Sequence, residues 1–160
     1  ISPRAFDARL NRAMMRIYLD DYKGANEDLA NIGRMHRGVA NTHPGVSFAN
    51  GITMLRSRSY HAARKAFEKT ADHSYAYPLS YYFMAVIDTQ QGLLERALGE
   101  VYRFISLAPE SVEGPKLAAR LELGFGGYHE AEQLLKPLVK AYPKDIDILK
   151  MMATAKLGLG

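Results

Sequence analysis

Five histidines (His36, His43, His61, His73 and His129) and the carboxylate pair Asp145 and Asp147, near a helix start with no basic residue between them, are the side chains considered first for holding a metal or moving protons. The histidines are scattered along the chain. There is no His-Glu-x-x-His motif to set two imidazoles on one helix face, no glycine-rich phosphate loop with a following Lys-Ser/Thr, and no acidic calcium loop. Asp145 and Asp147 precede an apolar-periodic stretch, where carboxylates interact favourably with a helix N-terminus. Cysteine is absent, which excludes disulfides, thiolate metal sites and a cysteine nucleophile and leaves the redox compartment open. Catalysis needs a nucleophile, base or metal set arranged together. With no such set, the chain reads as a non-enzyme with no cofactor and no metal site. Arg9, Arg12 and Arg16 share one helical face by their i, i+3, i+7 spacing, and without interleaved aromatics that face reads as solvated rather than as a nucleic-acid contact.

The elements that must position any site follow from a repeat. Ala63, Ala97 and Ala131 recur every 34 residues, as do Tyr60, Leu94 and Tyr128, the small residues Gly51, Ala85 and Ala119, and the pair Pro109 and Pro143. Each period holds two apolar-periodic stretches separated by a short break such as Ser57-Arg58-Ser59 or Gln90-Gln91-Gly92, which predicts a helical hairpin. Small residues recur where two helix backbones must approach closely. Phe67, Val101 and Leu135 lie one turn beyond the ladder alanines and are expected in the core. Pro109 and Pro143 stop the second helix, and Pro78 and Pro115 sit near the start of the next, where a missing N–H costs little. Pro137 falls inside a second helix and predicts a kink. His61 and His129 occupy matching places after the helix-opening tyrosines, so the repeat accounts for them better than metal binding does. At 160 residues and 48% hydrophobic content the chain can bury a core, and no stretch approaches a membrane-spanning apolar run. The net charge of +4 arises in residues 1–58, with nine Lys/Arg against five Asp/Glu, whereas residues 59–160 hold twelve of each.

These ladders resemble the tetratricopeptide (TPR) family, whose unit has a small residue in its first helix, an aromatic-x-x-Ala opening its second and a terminal Pro. Gly51…Tyr60-His61-Ala62-Ala63…Phe67 and Ala119…Tyr128-His129-Glu130-Ala131…Pro143 carry the likeness. It implies an all-α fold, an α-α superhelix: a TPR-like solenoid of antiparallel helical hairpins, with about four and a half repeats and about nine helices. The expected organisation of residues 1–160 is one solenoid segment: an irregular repeat over 5–43, repeats over 44–77, 78–111 and 112–144, and a partial repeat over 145–160. Tyr22-Lys23-Gly24-Ala25 opens the irregular unit 38 residues before Ala63, and the four extra residues are expected in a longer loop around Gly38–His43. The family's tryptophan position is Ser47, Tyr81 and Pro115 here, so the units are degenerate. Ala49-Asn50-Gly51-Ile52-Thr53-Met54-Leu55 and Phe104-Ile105-Ser106-Leu107-Ala108-Pro109 further resemble the TPR-repeat lipoprotein associated with PEP-CTERM/exosortase sorting and exopolysaccharide clusters. That resemblance implies a fragment of a longer bacterial array, a lipid anchor upstream and a periplasmic or membrane-anchored location; a cytoplasmic one is the alternative.

Stacked hairpins hold ligands on the surface formed by their first helices. By register, the partner-binding residues there are Phe48, Ile52 and Leu55, then Tyr82, Val86 and Thr89, then Lys116 and Arg120, with Lys150 beyond. Such a surface changes from apolar and aromatic to basic and suits a protein or peptide with an apolar anchor and an acidic flank. The same residues could instead pack between neighbouring helices. The function expected is a protein–protein interaction scaffold, set by the second resemblance in a bacterial sorting or secretion system. One alternative is an RNA-binding helical repeat, disfavoured because pentatricopeptide units favour a slightly longer step and polar base-reading residues on this face. The other is a cytosolic TPR adaptor or chaperone partner. The Lys/Asn/Asn/Lys/Arg clamp that grips chaperone tails is missing, its places being Asn11, Met15, Phe48, Ile52, Tyr82 and Val86.

Overall fold

A computed structural model describes residues 3–71, 73 and 76–160, and among these the secondary structure is entirely helix and turn. The helices are α1 (Pro3–Tyr18), α2 (Tyr22–Met35), α3 (Arg37–Thr42), α4 (Pro44–Arg56), α5 (Tyr60–Ala71), α6 (Leu79–Gln90), α7 (Leu94–Leu107), α8 (Glu113–Phe125), α9 (Tyr128–Ala141) and α10 (Ile146–Leu159). The chain forms two compact units, Ile1–Ile87 and Asp88–Gly160, divided within α6.

The turns between paired helices repeat with the same period as the ladders. Arg58, Gly92 and Gly126 have φ of 59°, 74° and 78°, and Asp20 has φ of 60° at the corresponding place in the irregular unit. A left-handed residue reverses the chain in each hairpin, and glycine supplies it without steric cost at Gly92 and Gly126. Helix starts are capped where the sequence offers an acceptor. The Gly24 amide donates to Asp21 Oδ1 at 2.9 Å, and the Asp147 and Ile148 amides donate to Asp145 Oδ1 at 2.9 and 3.1 Å.

In the first unit α1 packs on α2 and α4 on α5, with α4 also against α1 and α2. Phe6, Leu10, Ala13 and Ile17 of α1 meet Ala25, Leu29 and Ile32 of α2, and Val46 and Ala49 of α4, in one core. Phe48, Phe67 and Phe83 form an aromatic cluster beside it. In the second unit α9 packs between α8 and α10, joining Ala119, Ala131, Leu135, Leu138, Ile148, Met151 and Ala155. The ladder residues behave as their register requires. Ala63, Ala97 and Ala131 are buried, as are Phe67, Val101 and Leu135. At Gly51 a Cβ would lie 2.7 Å from the Phe67 ring, so the small residue admits that ring directly against the α4 backbone.

One local expectation changes. The segment Gly38–His43, expected as loop, is mostly α3, which raises the helix count among the described residues from about nine to ten. Four extra residues are close to one helical turn, and that turn is retained because Ala40 buries between α2 and α4. Pro137 lies within α9, which continues to Ala141. Gln133, whose carbonyl loses its donor, is exposed and open to water.

Candidate partner-binding faces

The first-unit residues singled out by register come from α4 and α6. Phe48 is only 5% exposed: its ring lies 5.8 Å from Phe67, 5.3 Å from Tyr77 and 6.1 Å from Phe83. It belongs to the core, because it lies three residues before Gly51 and so shares the side that Phe67 occupies. Ile52 is half-buried against the first-unit core, and Leu55 is half-buried. Tyr82 is half-buried with its ring edge-on to Phe83 at 5.7 Å, and Val86 is half-buried nearby on α6.

In the second unit, Thr89 is half-buried at the end of α6, while Arg120 on α8 and Lys150 on α10 are exposed. Lys116 is engaged. Its Nζ donates to Asp145 Oδ2 at 3.0 Å, and Asp145 at the same time caps α10. The hydrogen bond to Asp145 raises the Lys116 ammonium above its ordinary range, and that bond, with the Ile148 and Asp147 amides, holds the Asp145 carboxyl below its own. The basic end therefore presents Arg120 and Lys150, with Lys116 largely neutralised. The cap at Asp145 accords with the reading of Asp145 and Asp147 as helix-start carboxylates.

The arginine stripe on α1 differs from expectation. Arg12 and Arg16 converge on Asp28 of α2, which is 1% exposed. Arg12 Nε and Arg16 Nη1 each donate to Asp28 Oδ2 at 2.9 Å, Arg12 Nη2 donates to Oδ1, and Arg16 Nη1 also donates to the Gly24 carbonyl at 2.8 Å. The Arg12 hydrogen bonds hold the Asp28 carboxyl below its usual range against the opposing effect of burial. A second buried carboxylate, Asp88 on α6, accepts from Arg96 Nε at 2.8 Å and Nη2 at 2.6 Å. Sequence reasoning missed both, although a signal existed: Asp28 and Asp88 each occupy an apolar register position, beside Ala25 and Ile32 or Tyr81 and Ala85.

The histidines do not gather. His43 Nδ1 accepts from the Gly45 amide at 3.2 Å, His36 meets Phe6 edge-on at 5.4 Å, and His61, His73 and His129 are exposed. Among the described residues no group of three or more His, Asp or Glu is placed to hold a metal ion, and no helix is long and apolar enough to cross a membrane. Two surface hollows were not anticipated. One of about 280 Å³ in the first unit is lined by Asn41, Asn50, Met54, Lys65 and Lys69, and one of about 420 Å³ in the second by Leu93, Leu94, Glu95, Arg96 and Phe125.

No family model and no curated protein matches this sequence. Solved structures do resemble the fold. The MamA protein superposes with a TM-score of 0.78 at 12% identity, over 99% of this chain and 85% of that one. A tetratricopeptide repeat protein from Parabacteroides merdae ATCC 43184 gives 0.77 at 16% identity, over 98% of this chain and 61% of that one. YrrB, described as a TPR protein with an unusual peptide-binding site, gives 0.70 at 13% identity, over 92% and 82%. The fold is all-α, built of paired helical hairpins, and of the tetratricopeptide type.

Proposed function

We propose that this chain is a non-catalytic interaction scaffold that binds a peptide or protein on the faces of its first helices, α4 and α6 in one unit and α8 and α10 in the other. Folds of this type typically serve protein–protein interaction, although fold alone does not assign a partner. The observation that carries the reading is that Ile52, Tyr82 and Val86 keep accessible surface after their helices have packed, while Phe48 does not. Apolar and aromatic side chains of this kind are the usual anchors of an interface in the first unit, and in the second, exposed Arg120 and Lys150 would favour an acidic ligand. A bacterial protein-sorting or exopolysaccharide-secretion setting is supported only by the resemblance of residues 49–55 and 104–109.

The test is selection from a displayed random-peptide library, followed by affinity measurement with Tyr82→Ala, Ile52→Ser, Arg120→Glu and Lys150→Glu variants, each checked for unchanged thermal stability. Peptides selected on the first unit should carry an apolar anchor, and those selected on the second should carry acidic residues. The former should dissociate faster from Tyr82→Ala and the latter associate more slowly with Arg120→Glu. Selected ligands indifferent to all four substitutions, or tighter binding of single-stranded RNA at physiological salt, would overturn the proposal.

A further inference from the structure

The first complete repeat carries a deficit at a place that the next two close. Ser47 and Asn50 of α4 stand one period before Tyr81 and Met84 of α6, which are 4% and 2% exposed, and Ala118 of α8, two periods after Asn50, is fully buried. Asn50 is only half-buried. Where the next repeat has a phenol ring and a thioether, this one has a hydroxyl and a carboxamide, and the difference in side-chain volume is left as space. Ser47, Asn50 and Met54 accordingly line the first-unit hollow of about 280 Å³. The hollow has two further walls: buried Ala66 of α5, and Ala40 and Asn41 of α3, the helical turn that the longer first spacing adds.

A packing defect alone has no reason to gather charge, yet Lys65 and Lys69 line the hollow from α5, one turn apart. The residues one and two periods on are Gly99 and Arg103, then Gln133 and Pro137, so the paired cations occur in the same repeat as the deficit. Both ammonium groups, the Asn41 and Asn50 carboxamides and the Ser47 hydroxyl make no hydrogen bond or ion pair among the described residues. Glu68, between the two lysines in sequence, is turned to Arg64 at 3.5 Å. No carboxylate lines the hollow, so its polar groups are chiefly donors, while Ala40, Met54 and Ala66 supply apolar surface. That combination suits a ligand with an apolar body and an anionic edge. Pockets for drug-sized ligands begin at about 300 Å³, so the space admits one ring with its acid group and little more.

We propose that this hollow binds an aromatic carboxylate, the ring taking the place equivalent to that of the Tyr81 and Met84 side chains and the carboxylate meeting Lys65 and Lys69. A free aromatic acid and a peptide's aromatic residue beside an acidic one present this same chemistry. The site lies on a different side of α4 from Ile52 and Leu55, and it does not rest on the first-helix surface proposed above.

The probes are phenylacetate, its neutral analogue phenylethanol, acetate, and an end-blocked Gly-Phe-Glu-Gly peptide, each titrated into the isotope-labelled 160-residue chain and followed by heteronuclear NMR. Phenylacetate should give saturable shifts at the Asn41 and Asn50 side-chain amides and the Ala66 backbone amide, at concentrations at least about tenfold lower than phenylethanol or acetate requires. Replacing Lys65→Gln and Lys69→Gln together should weaken phenylacetate about tenfold and leave phenylethanol unchanged. Ser47→Tyr, which restores the residue of the next repeat, should abolish binding of both. Both lysines are exposed, so the charge comparison stands whatever Ser47→Tyr does to stability. Binding of phenylacetate assigns the site to a free acid, and binding of the peptide without phenylacetate assigns it to a polypeptide side chain; either supports the proposal. Equal affinity for phenylacetate and phenylethanol, shifts that survive the lysine replacements undiminished, or no saturable shift with either ring-bearing acid would overturn it.

Discussion

Alanine at Gly51 and alanine at Gly99 are the same chemical change in the interior of a helix, yet the structure assigns them opposite signs. In an open helix, Gly→Ala gains about 0.8–1 kcal/mol through restricted unfolded-state freedom and helix propensity. Gly99 of α7 is such a site, because a Cβ built there meets nothing within 4 Å. At Gly51 the Cβ would lie 2.7, 2.8 and 2.9 Å from three atoms of the Phe67 ring, whereas carbon pairs sit comfortably at about 3.5–4.0 Å. The ring cannot yield easily: Phe67 is fully buried, with Phe83 stacked on it at 5.2 Å and Phe48 against it at 5.8 Å. Overpacking a close-fitted core costs roughly 1–3 kcal/mol, so after the propensity gain a net loss of up to about 2 kcal/mol remains. Urea unfolding followed by the helical circular dichroism signal should place Gly99→Ala above wild type and Gly51→Ala below it. A Phe67→Leu substitution should be less damaging in the Gly51→Ala background than alone, with a coupling of at least about 0.5 kcal/mol. A Gly51→Ala midpoint at or above wild type, or additive behaviour with Phe67→Leu, would show that the ring is not what keeps residue 51 small.

Asp28, whose carboxyl is held below its ordinary range chiefly by Arg12, contributes stability that is complete above the unfolded carboxylate value of about 4 and is lost as pH falls through the lower folded value. Replacing Arg12 and Arg16 with Met should therefore destabilise most at neutral pH, and the gap to wild type should narrow on acidification; a gap that widens would contradict the pairing. Asp145→Ala should raise amide hydrogen exchange over the first turn of α10 more than Lys116→Ala does, because Asp145 also accepts the Asp147 and Ile148 amides; equal effects would mean that only the ion pair matters. Arg58→Gly should raise the unfolding midpoint, by up to about 1 kcal/mol, because a left-handed φ of 59° strains a side-chain-bearing residue but not glycine; a loss would mean that Arg58 makes a contact worth more than the strain.

Periodicity made the repeats legible because close helix packing demands the same small residues at the same places. Ala63, Ala97, Ala131, Phe67, Val101 and Leu135 could be assigned to the core from spacing, and all six are buried. The segment that became α3 carries no apolar period over its six residues, so nothing in its pattern separated a helical turn from a loop. Phe48 shows a different limit. Helical angle alone groups it with Ile52 and Leu55, but the missing side chain at Gly51 draws Phe67 over that part of α4, and Phe48 goes with it. The partners of Arg12 and Arg16 were hidden because Asp28 lies on another helix, and matching charges across a hairpin requires knowing how the two helices are aligned.

The same limit changes where the positive charge of the second unit can act. Register placed Lys116, Arg120 and Lys150 together as a basic end, each counted as equally available. Asp145 removes Lys116 from that set, since one carboxylate caps α10 through Oδ1 and accepts from the lysine through Oδ2, and a ligand competing for Lys116 would have to break that ion pair. An extended peptide with a single acidic flank can be served by Arg120 and Lys150, both exposed in the second unit. Arg120→Glu should therefore weaken binding of an acidic ligand to the second unit more than Lys116→Ala does, because Lys116 is already paired with Asp145; equal losses would mean that the pair leaves Lys116 available.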